Sequence, residues 1–595
     1  MNHGIIFGTR TLTLDDYFAA EEVINRIDDN PILRGEYTQI PANLPSRTYG
    51  AYKIATHIRE LGWDVEVIDM FHSFTMEEIK DLLRDRVTHE TKFIGFSVFN
   101  DRVLHLPNIS NYHIKGFPKR KAINDTIDFI RSEFPWVQTV TGSQKLEPIS
   151  LLHSDWTVCG FGEFGMEALC KYLTGGPEPK HTKLFNMWGI ENDPDVLFTL
   201  NVINATHSYP AFPKKYARMI YEDRDYVQPN EALNIEFSRG CMFKCSFCTY
   251  APLGVKGDMT RDVEDFYDEM MENYERFGTT TYLVSDETFN DDSAKIAKFA
   301  EACRKLPFQP IFHGYVRGDL MVSRGEEDWD NMLDMGFVGH HYGLETLNWD
   351  SGKSIKKGMN PEKLKEGMID VANYFDKNSP TGYYCGEVTM IAGLPHDTLD
   401  SLTEEANFWN NGLFTAYYNA LEIGQPEKVA KNPIDPRSVF DTTYAQHGYT
   451  WETVDDFDIR NYLMTEITTP NGKVSLKHNP EELIYTQDRF IDTYNSWTED
   501  EKIKRHYVKW RHREGYTTYD AYQWVQDYFM TSQNANLFRR PSPWMVSSYL
   551  AAGIPLEEVY SQKGNFRKLN WDETKKLFEN VKLYKDMKLA SIGKY

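Results

Sequence analysis

The chain has 595 residues, of which 41% are hydrophobic, 14% aromatic and 26% charged, an ordinary globular composition that at roughly 100 to 200 residues per domain suggests three or more domains. Mean hydropathy is −0.55, and the longest apolar runs, such as KFIGFSVFN, fall short of the roughly 18 to 20 residues that cross a bilayer, so no membrane span is expected. The 65 basic and 88 acidic residues leave a net charge of −23, a field that repels polyanions and disfavours nucleic acid.

The N-terminus has no basic stretch followed by an apolar one, and the expected location is cytoplasmic. From the start to residue 175, short apolar strands alternate with helical periodicity: HGIIFG, a helix near 48–61, DVEVIDMF, a helix near 76–86, KFIGFSVFN, a helix near 122–134, VQTVTG, WTVCG and a helix near 164–173. That alternation predicts an α/β fold with a Rossmann-like, doubly wound parallel sheet. Segments 9–46 and 101–120 read as insertions at loops, and the Pro- and Gly-bearing stretch 176–230 as an irregular linker.

A second strand–helix series runs over 231–425, with strands in ALNIEFSRG, TTYLVSDET, PIFHGYVRG, FVGHHYGLE, GYYCGEVTMIAGLP and LFTAYYNALEI and helices near 260–277, 291–306, 326–335, 360–376 and 397–410. Six such units predict a partial (βα)6, TIM-like barrel with its site at the carboxyl ends of the strands. Residues 426–595, rich in Trp, Tyr, Asp and Lys, read as a mainly helical C-terminal domain.

The seven cysteines are too few and too scattered for a disulfide framework. Cys241, Cys245 and Cys248, however, form C-x3-C-x2-C directly after the first barrel strand. Thiolates are soft ligands for zinc or iron–sulfur clusters, and closed sites usually take four protein ligands. Three would leave one iron of a cubane open to an exogenous group; the alternatives are a zinc site completed by a distant histidine, or three unrelated cysteines.

With Phe247 before the last cysteine, this motif resembles that of the radical S-adenosylmethionine (SAM) enzymes. The resemblance implies a [4Fe-4S] cluster whose open iron is chelated by SAM, reductive cleavage of SAM to a 5′-deoxyadenosyl radical, and an external flavodoxin- or ferredoxin-like electron donor. Further landmarks follow in the family's order. LVSDETF puts Asp286 and Glu287 where the family meets the SAM ammonium, and YVRGDL puts Arg317 toward the SAM carboxylate or ribose. HYGLETLNWDSGKSIKKGMN offers Glu345 to SAM, with Lys356 or Lys357 nearby, and TMIAGLPHDT offers Ile391 to the adenine. The last motif departs from the family's pattern, with Thr389 for its first glycine and His396 for its acid, Asp397 standing next to it.

SRTYGAYKIATHIRELGWDVEVIDM and CGFGEFGMEALCKYL resemble the cobalamin-binding-type domain that precedes the barrel in one group of these enzymes, which makes cobalamin a candidate third cofactor. The string Asn111, His113 and Gly116 follows the third strand rather than the first, and is read as coincidental to the cobalt-ligating histidine signature. Cys385 and one of His340 and His341 are candidate catalytic residues on the barrel wall, the first as a hydrogen-atom donor or substrate anchor, His341 as an acid–base group. The basic segment 502–514, with Tyr507 and Trp510, has the composition of a contact with phosphate and bases, but in a chain of this charge it reads rather as a solvated helix face.

The leading expectation is therefore a radical SAM enzyme acting at an unactivated C–H position of a small molecule or peptide, with cobalamin-dependent methylation as its outcome. Two alternatives stand beside it: cobalamin-independent cyclisation, rearrangement or nucleotide or peptide modification, and a non-catalytic zinc protein.

Overall fold

The computed structural model describes residues 1–9, 47–71, 74–98, 117–144, 152, 154–185, 199–205, 218–248, 259–379, 382, 384–410, 412–421, 423, 438–454, 466–469, 472–475, 507–516, 518, 520–522, 524–525 and 589. The first sheet grows from the alternating apolar runs near the N-terminus. Strand β1 (His3–Gly8), helix α1 (Tyr49–Glu60), β2 (Asp64–Ile68), α2 (Met76–Arg86), β3 (Thr91–Ser97), α3 (Phe117–Glu133), β4 (Gln138–Ser143), β5 (Trp156–Cys159) and α4 (Glu163–Leu173) follow one another. The strands pair in parallel in the order β2-β1-β3-β4-β5. The order reverses between β1 and β3, so a ligand is expected at their carboxyl ends, the switch point of such sheets. The chain segments that follow those two strands, 10–46 and 99–116, lie outside the described residues, as does His113. Helices α1 and α4 pack on one face, α2 and α3 on the other. Helix α2 begins where Thr75 and Glu78 form a reciprocal capping box.

The stretch read as an irregular linker contributes two more strands. β6 (Thr182–Phe185) and β7 (Thr199–Asn204) join this sheet, β7 parallel to β5 and β6 antiparallel at the edge. The alternation in TLNVIN was the available signal, hidden between Pro- and Gly-bearing flanks. Further along, Arg47 pairs with Glu231 at 2.8 Å and Arg59 with Asp225 at 3.0 Å, fastening this connection to α1 and its entry.

The second series comprises β8 (Leu233–Ile235), β9 (Ser238–Arg239), β10 (Met259–Thr260), α5 (Val263–Phe277), β11 (Thr281–Val284), α6 (Ser293–Cys303), β12 (Ile311–Arg317), α7 (Gly318–Arg324), α8 (Glu326–Met335), β13 (Phe337–Glu345), α9 (Trp349–Ser354), α10 (Pro361–Asn378), β14 (Cys385–Ala392), α11 (Leu399–Trp409) and β15 (Thr415–Ala420). Six strands, β8-β11-β12-β13-β14-β15, pair in parallel and in chain order, which is the open (βα)6 barrel. Local signals set its helices: Asp262 accepts from the amides of Glu264 and Asp265 at the start of α5, and Gly278 closes it at φ 71°. One apolar core runs from α1 and α4 through Phe237, Phe266, Phe299 and Phe312 to Trp409.

Beyond residue 426 the described parts include α12 (Val439–Thr443), a hairpin of β17 (Glu466–Thr469) and β18 (Gly472–Ser475), the antiparallel pair of β16 (Thr450–Val454) with β19 (Tyr507–Arg511), and helical residues between 518 and 525. The basic segment expected to be a helix face is thus a strand over Tyr507–Arg511 and leaves it in a turn after His512. Its Tyr-Val-Lys-Trp-Arg run is rich in residues that favour a pleated surface. Among the described residues no helix is long and apolar enough to cross a membrane.

Candidate functional site

Past β8 the chain turns through β9 into the loop carrying Cys241, Cys245 and Cys248, above the carboxyl end of the barrel. The Ser246 amide donates to the Ile355 carbonyl at 2.8 Å, the Phe440 amide to the Ser246 carbonyl at 3.0 Å, and the Cys248 amide to the Cys245 carbonyl at 3.1 Å. Cys245 is buried and the other two are half-buried. Arg317 Nη1 donates to Cys245 Sγ at 3.4 Å, and Cys241 Sγ lies 3.5 Å from Thr288 Oγ1. Among the described residues no three His, Cys, Asp or Glu side chains converge as metal ligands. The donor set nonetheless suits iron: three soft sulfurs on an eight-residue loop, with a guanidinium hydrogen-bonded to one of them.

Arg317, at the end of β12, therefore belongs to the cysteine loop. Its guanidinium also pairs with Asp319 at 2.6 Å and lies over the Phe243 ring, 3.9 Å from the centroid. Phe247 and Ile391, drawn from motifs more than 140 residues apart, meet in one apolar cluster with Ile355, Leu394, Leu421 and Phe440. Glu345, at the end of β13, sits in the left-handed region at φ 74° and accepts from Lys357 Nζ at 2.8 Å. A non-glycine residue there carries a backbone cost of about 1 kcal/mol. Of the two lysines singled out from the sequence, Lys357 is the one that reaches Glu345. Asp397 organises the turn after β14: it accepts from the amides of Gly393 and Leu394 at 3.1 and 2.8 Å and from Ser351 Oγ at 2.8 Å.

The two carboxylates after β11 are engaged with backbone. Asp286 accepts from the Phe237 amide at 2.8 Å and from Ser238 Oγ at 2.5 Å, and burial pushes its carboxyl up to about 8. Glu287 accepts from the Gly240 amide, one residue before Cys241, at 3.0 Å and from Gln144 Nε2, just past β4, at 3.3 Å. Burial raises it to about 7. Glu287 thus touches both the cysteine loop and the carboxyl edge of the first sheet.

Strand register sorts the barrel wall. Tyr315, His341, Glu387 and Thr415 are successive partners across β12 to β15, and Arg317, Gly343, Thr389 and Tyr417 form the next row toward the cysteine loop. His341 faces inward: Nδ1 lies 3.2 Å from Glu387 Oε1, and its ring stacks on Tyr315 with centroids 4.8 Å apart. His340 faces the helices, stacked on Phe337 and against Phe375 of α10. Cys385 begins β14, six residues before Ile391 and roughly 20 Å away by strand rise; it is fully buried and its Sγ donates to the Val338 carbonyl at 3.5 Å. The structure does not bring it to the cysteine loop.

Sequence reasoning passed over a set of buried charges between the two domains. Arg239 bridges Glu163 at the start of α4 and Glu236, while Lys53 and Tyr49 of α1 contact Glu236 at 3.3 and 3.0 Å. The only signal was the SRG turn ahead of Cys241, since the partners come from separate motifs.

Comparison with known proteins adds to this geometry. Residues 235–408 match the family described as the Radical SAM superfamily, so the barrel is a radical SAM domain. No curated protein matches the sequence. Among solved structures, the radical S-adenosylmethionine methyltransferase TsrM from Kitasatospora setae with cobalamin and a [4Fe-4S] cluster aligns over 98% of this chain and 99% of its own, at 13% identity and a TM-score of 0.54. The same enzyme with tryptophan and a SAM analogue aligns over 84% and 90%, at 13% identity and a TM-score of 0.51. The cobalamin-dependent S-adenosylmethionine radical enzyme OxsB with aqua-cobalamin aligns over 99% and 72%, at 13% identity and a TM-score of 0.50. At such identities the likeness is one of fold, and it extends through both the first sheet and the barrel.

Proposed function

We propose that this enzyme binds a [4Fe-4S] cluster through Cys241, Cys245 and Cys248, cleaves SAM with an electron from a flavodoxin- or ferredoxin-like donor, and methylates an unactivated C–H position of a small molecule or peptide with the help of cobalamin held at the carboxyl edge of the first sheet. The observation that carries this reading is the three-thiol loop fastened over the open end of a (βα)6 barrel, facing Glu287 and, through it, Gln144 of the first domain. The cluster and SAM supply a 5′-deoxyadenosyl radical, and cobalamin a transferable methyl group. Arg317 orients the cysteine loop through its hydrogen bond to Cys245 Sγ. Phe247 and Ile391 offer an apolar wall for an adenine, and Glu345 and Glu287 acceptors for an ammonium. His341, steadied by Glu387, is placed to hold or remove a proton from a substrate in the barrel.

The sheet order and the fold likeness to TsrM and OxsB support the cobalamin part. Anaerobic purification tests the whole: brown protein with about four irons per chain, a bound corrinoid, and formation of 5′-deoxyadenosine from SAM under reduction are expected, with iron and turnover lost in Cys245→Ala. Iron without corrinoid would leave a radical enzyme of another outcome. Zinc in place of iron, or iron and turnover unchanged in Cys245→Ala, would refute the assignment.

A further inference from the structure

Halfway down the barrel wall lies a row of side chains that the cysteine loop and the SAM-facing motifs do not account for. Tyr315 is 44% exposed although β12 is an interior strand whose outer face is covered by helices, and Tyr417 on β15 is 41% exposed. Such rings on the inner face line open space rather than core. Between them stands Glu387, directly opposite His341 and diagonal to Tyr417. Among the described residues its only polar contact is His341 Nδ1, made through Oε1, and its side chain is 15% exposed. The other charges near this wall are matched: Arg317 with Asp319 at 2.6 Å, and Glu345 with Lys357 at 2.8 Å, the latter pair folded back over Gly343. Below the row, His313 is 1% exposed and neither ring nitrogen has a partner. Its neutral form is favoured because burial lowers it to about 3, so it adds no cation to compete for Glu387.

We infer that Glu387, flanked by Tyr315 and Tyr417, is the specificity residue of the barrel and selects a substrate carrying a protonated amine. A carboxylate oxygen facing open space accepts a charged N–H donor, and aromatic faces beside it attract the same cation while excluding an anion. This rests on the reading of the barrel as the catalytic core, and it adds the chemical class of what enters.

The test is calorimetric titration of the holoenzyme with benzylamine, benzyl alcohol and benzoate, three probes of one shape that differ in charge. Benzylamine is expected to bind most tightly. Glu387→Gln should weaken it roughly ten- to hundredfold and erase its advantage over the alcohol. Glu387→Asp should keep the preference, and Tyr417→Ala should weaken the amine several-fold. Tighter binding of benzoate, equal binding of the alcohol, absence of benzylamine binding, or a preference unchanged in both Glu387→Gln and Tyr417→Ala would overturn the inference. Iron content and 5′-deoxyadenosine formation are read on the same samples: intact values with no amine preference sink the substrate class alone, whereas missing iron sinks the reading of the barrel.

Discussion

Arg239 Nη2 donates to Glu163 Oε1 at 2.6 Å, joining the root of the cysteine loop to the first turn of α4 in the other domain. The guanidinium also contacts Glu236 Oε1 at 2.5 Å and lies over the Phe161 ring, 4.8 Å from its centroid. Burial by itself would raise Glu236; Arg239 and Lys53 more than reverse this and hold it at about 2. All three partners are nearly inaccessible. Removing one member of such a set strands a buried charge, at a cost of about 3–5 kcal/mol, whereas removing both of a pair does not. Glu163→Gln and Arg239→Gln are therefore each expected to lower the unfolding midpoint in urea sharply, with the double variant less destabilised than the sum of the two. Strict additivity in that cycle would show that the contact does not couple the domains.

A second expectation concerns the cluster. Arg317 Nη1 donates to Cys245 Sγ at 3.4 Å, and hydrogen bonds to ligand sulfur are among the levers that set the potential of an iron–sulfur centre by stabilising the more negative, reduced state. Arg317→Ala should shift the cluster's midpoint to more negative values, while Arg317→Lys should shift it less. An anaerobic redox titration followed by electron paramagnetic resonance measures this. A shift in the positive direction, or none, would remove Arg317 from the cluster's environment.

What could be read beforehand was local. Several barrel helices announce themselves with their own punctuation, such as Asp262 before α5 or Asn360 and Pro361 opening α10, and the three cysteines are eight residues of continuous sequence. What could not be read depends on which distant groups meet. Alternation showed that His340 and His341 point opposite ways but not which of them faces in; that is decided by the aromatic helix layer that takes up His340. Asp286 was legible as a carboxylate at a strand end, yet not the use the Phe237 amide and Ser238 make of it. Arg239 and Glu163 lie 76 positions apart in different domains, and no pattern within either segment ties them together.

The apolar side of the site gives a third prediction. Ile391 and Phe247 share a cluster with Ile355 and Phe440, and Ile391 is 8% exposed, at the rim rather than in the middle of the core. Ile391→Ala should therefore cost less than the roughly 2–5 kcal/mol of a fully enclosed truncation. If the exposed edge of this cluster receives an adenine, the same change should raise KM for SAM by more than it lowers kcat. A variant that loses stability with KM unchanged would make the cluster purely structural.

The last prediction is a pH dependence seated in the barrel wall. His340 is fully buried among Phe337, Tyr342, Phe375 and Tyr384, and burial lowers its pKa from 6.5 to about 3. The unfolded chain binds this proton below about pH 6.5 and the folded chain does not until about pH 3, so the unfolded state holds more protons in that window and stability falls as pH falls through it. At pH 5 the cost is about 2 kcal/mol for this one group. Asp286 and Glu287 work in the opposite sense, since their raised pKa values favour the folded state increasingly as pH drops from about 8, while His313 adds to the effect of His340, and the net profile of the parent sums all such groups. The variant isolates the histidine. His340→Phe keeps the ring stack, leaves Tyr342 and Tyr384 hydrogen-bonded to each other, and removes the titrating group. Its stability difference between pH 7 and pH 5, from urea unfolding at each, should be smaller in the destabilising direction than the parent's by about 2 kcal/mol. An unchanged difference would mean that His340 is charged in the fold or already neutral in the unfolded chain.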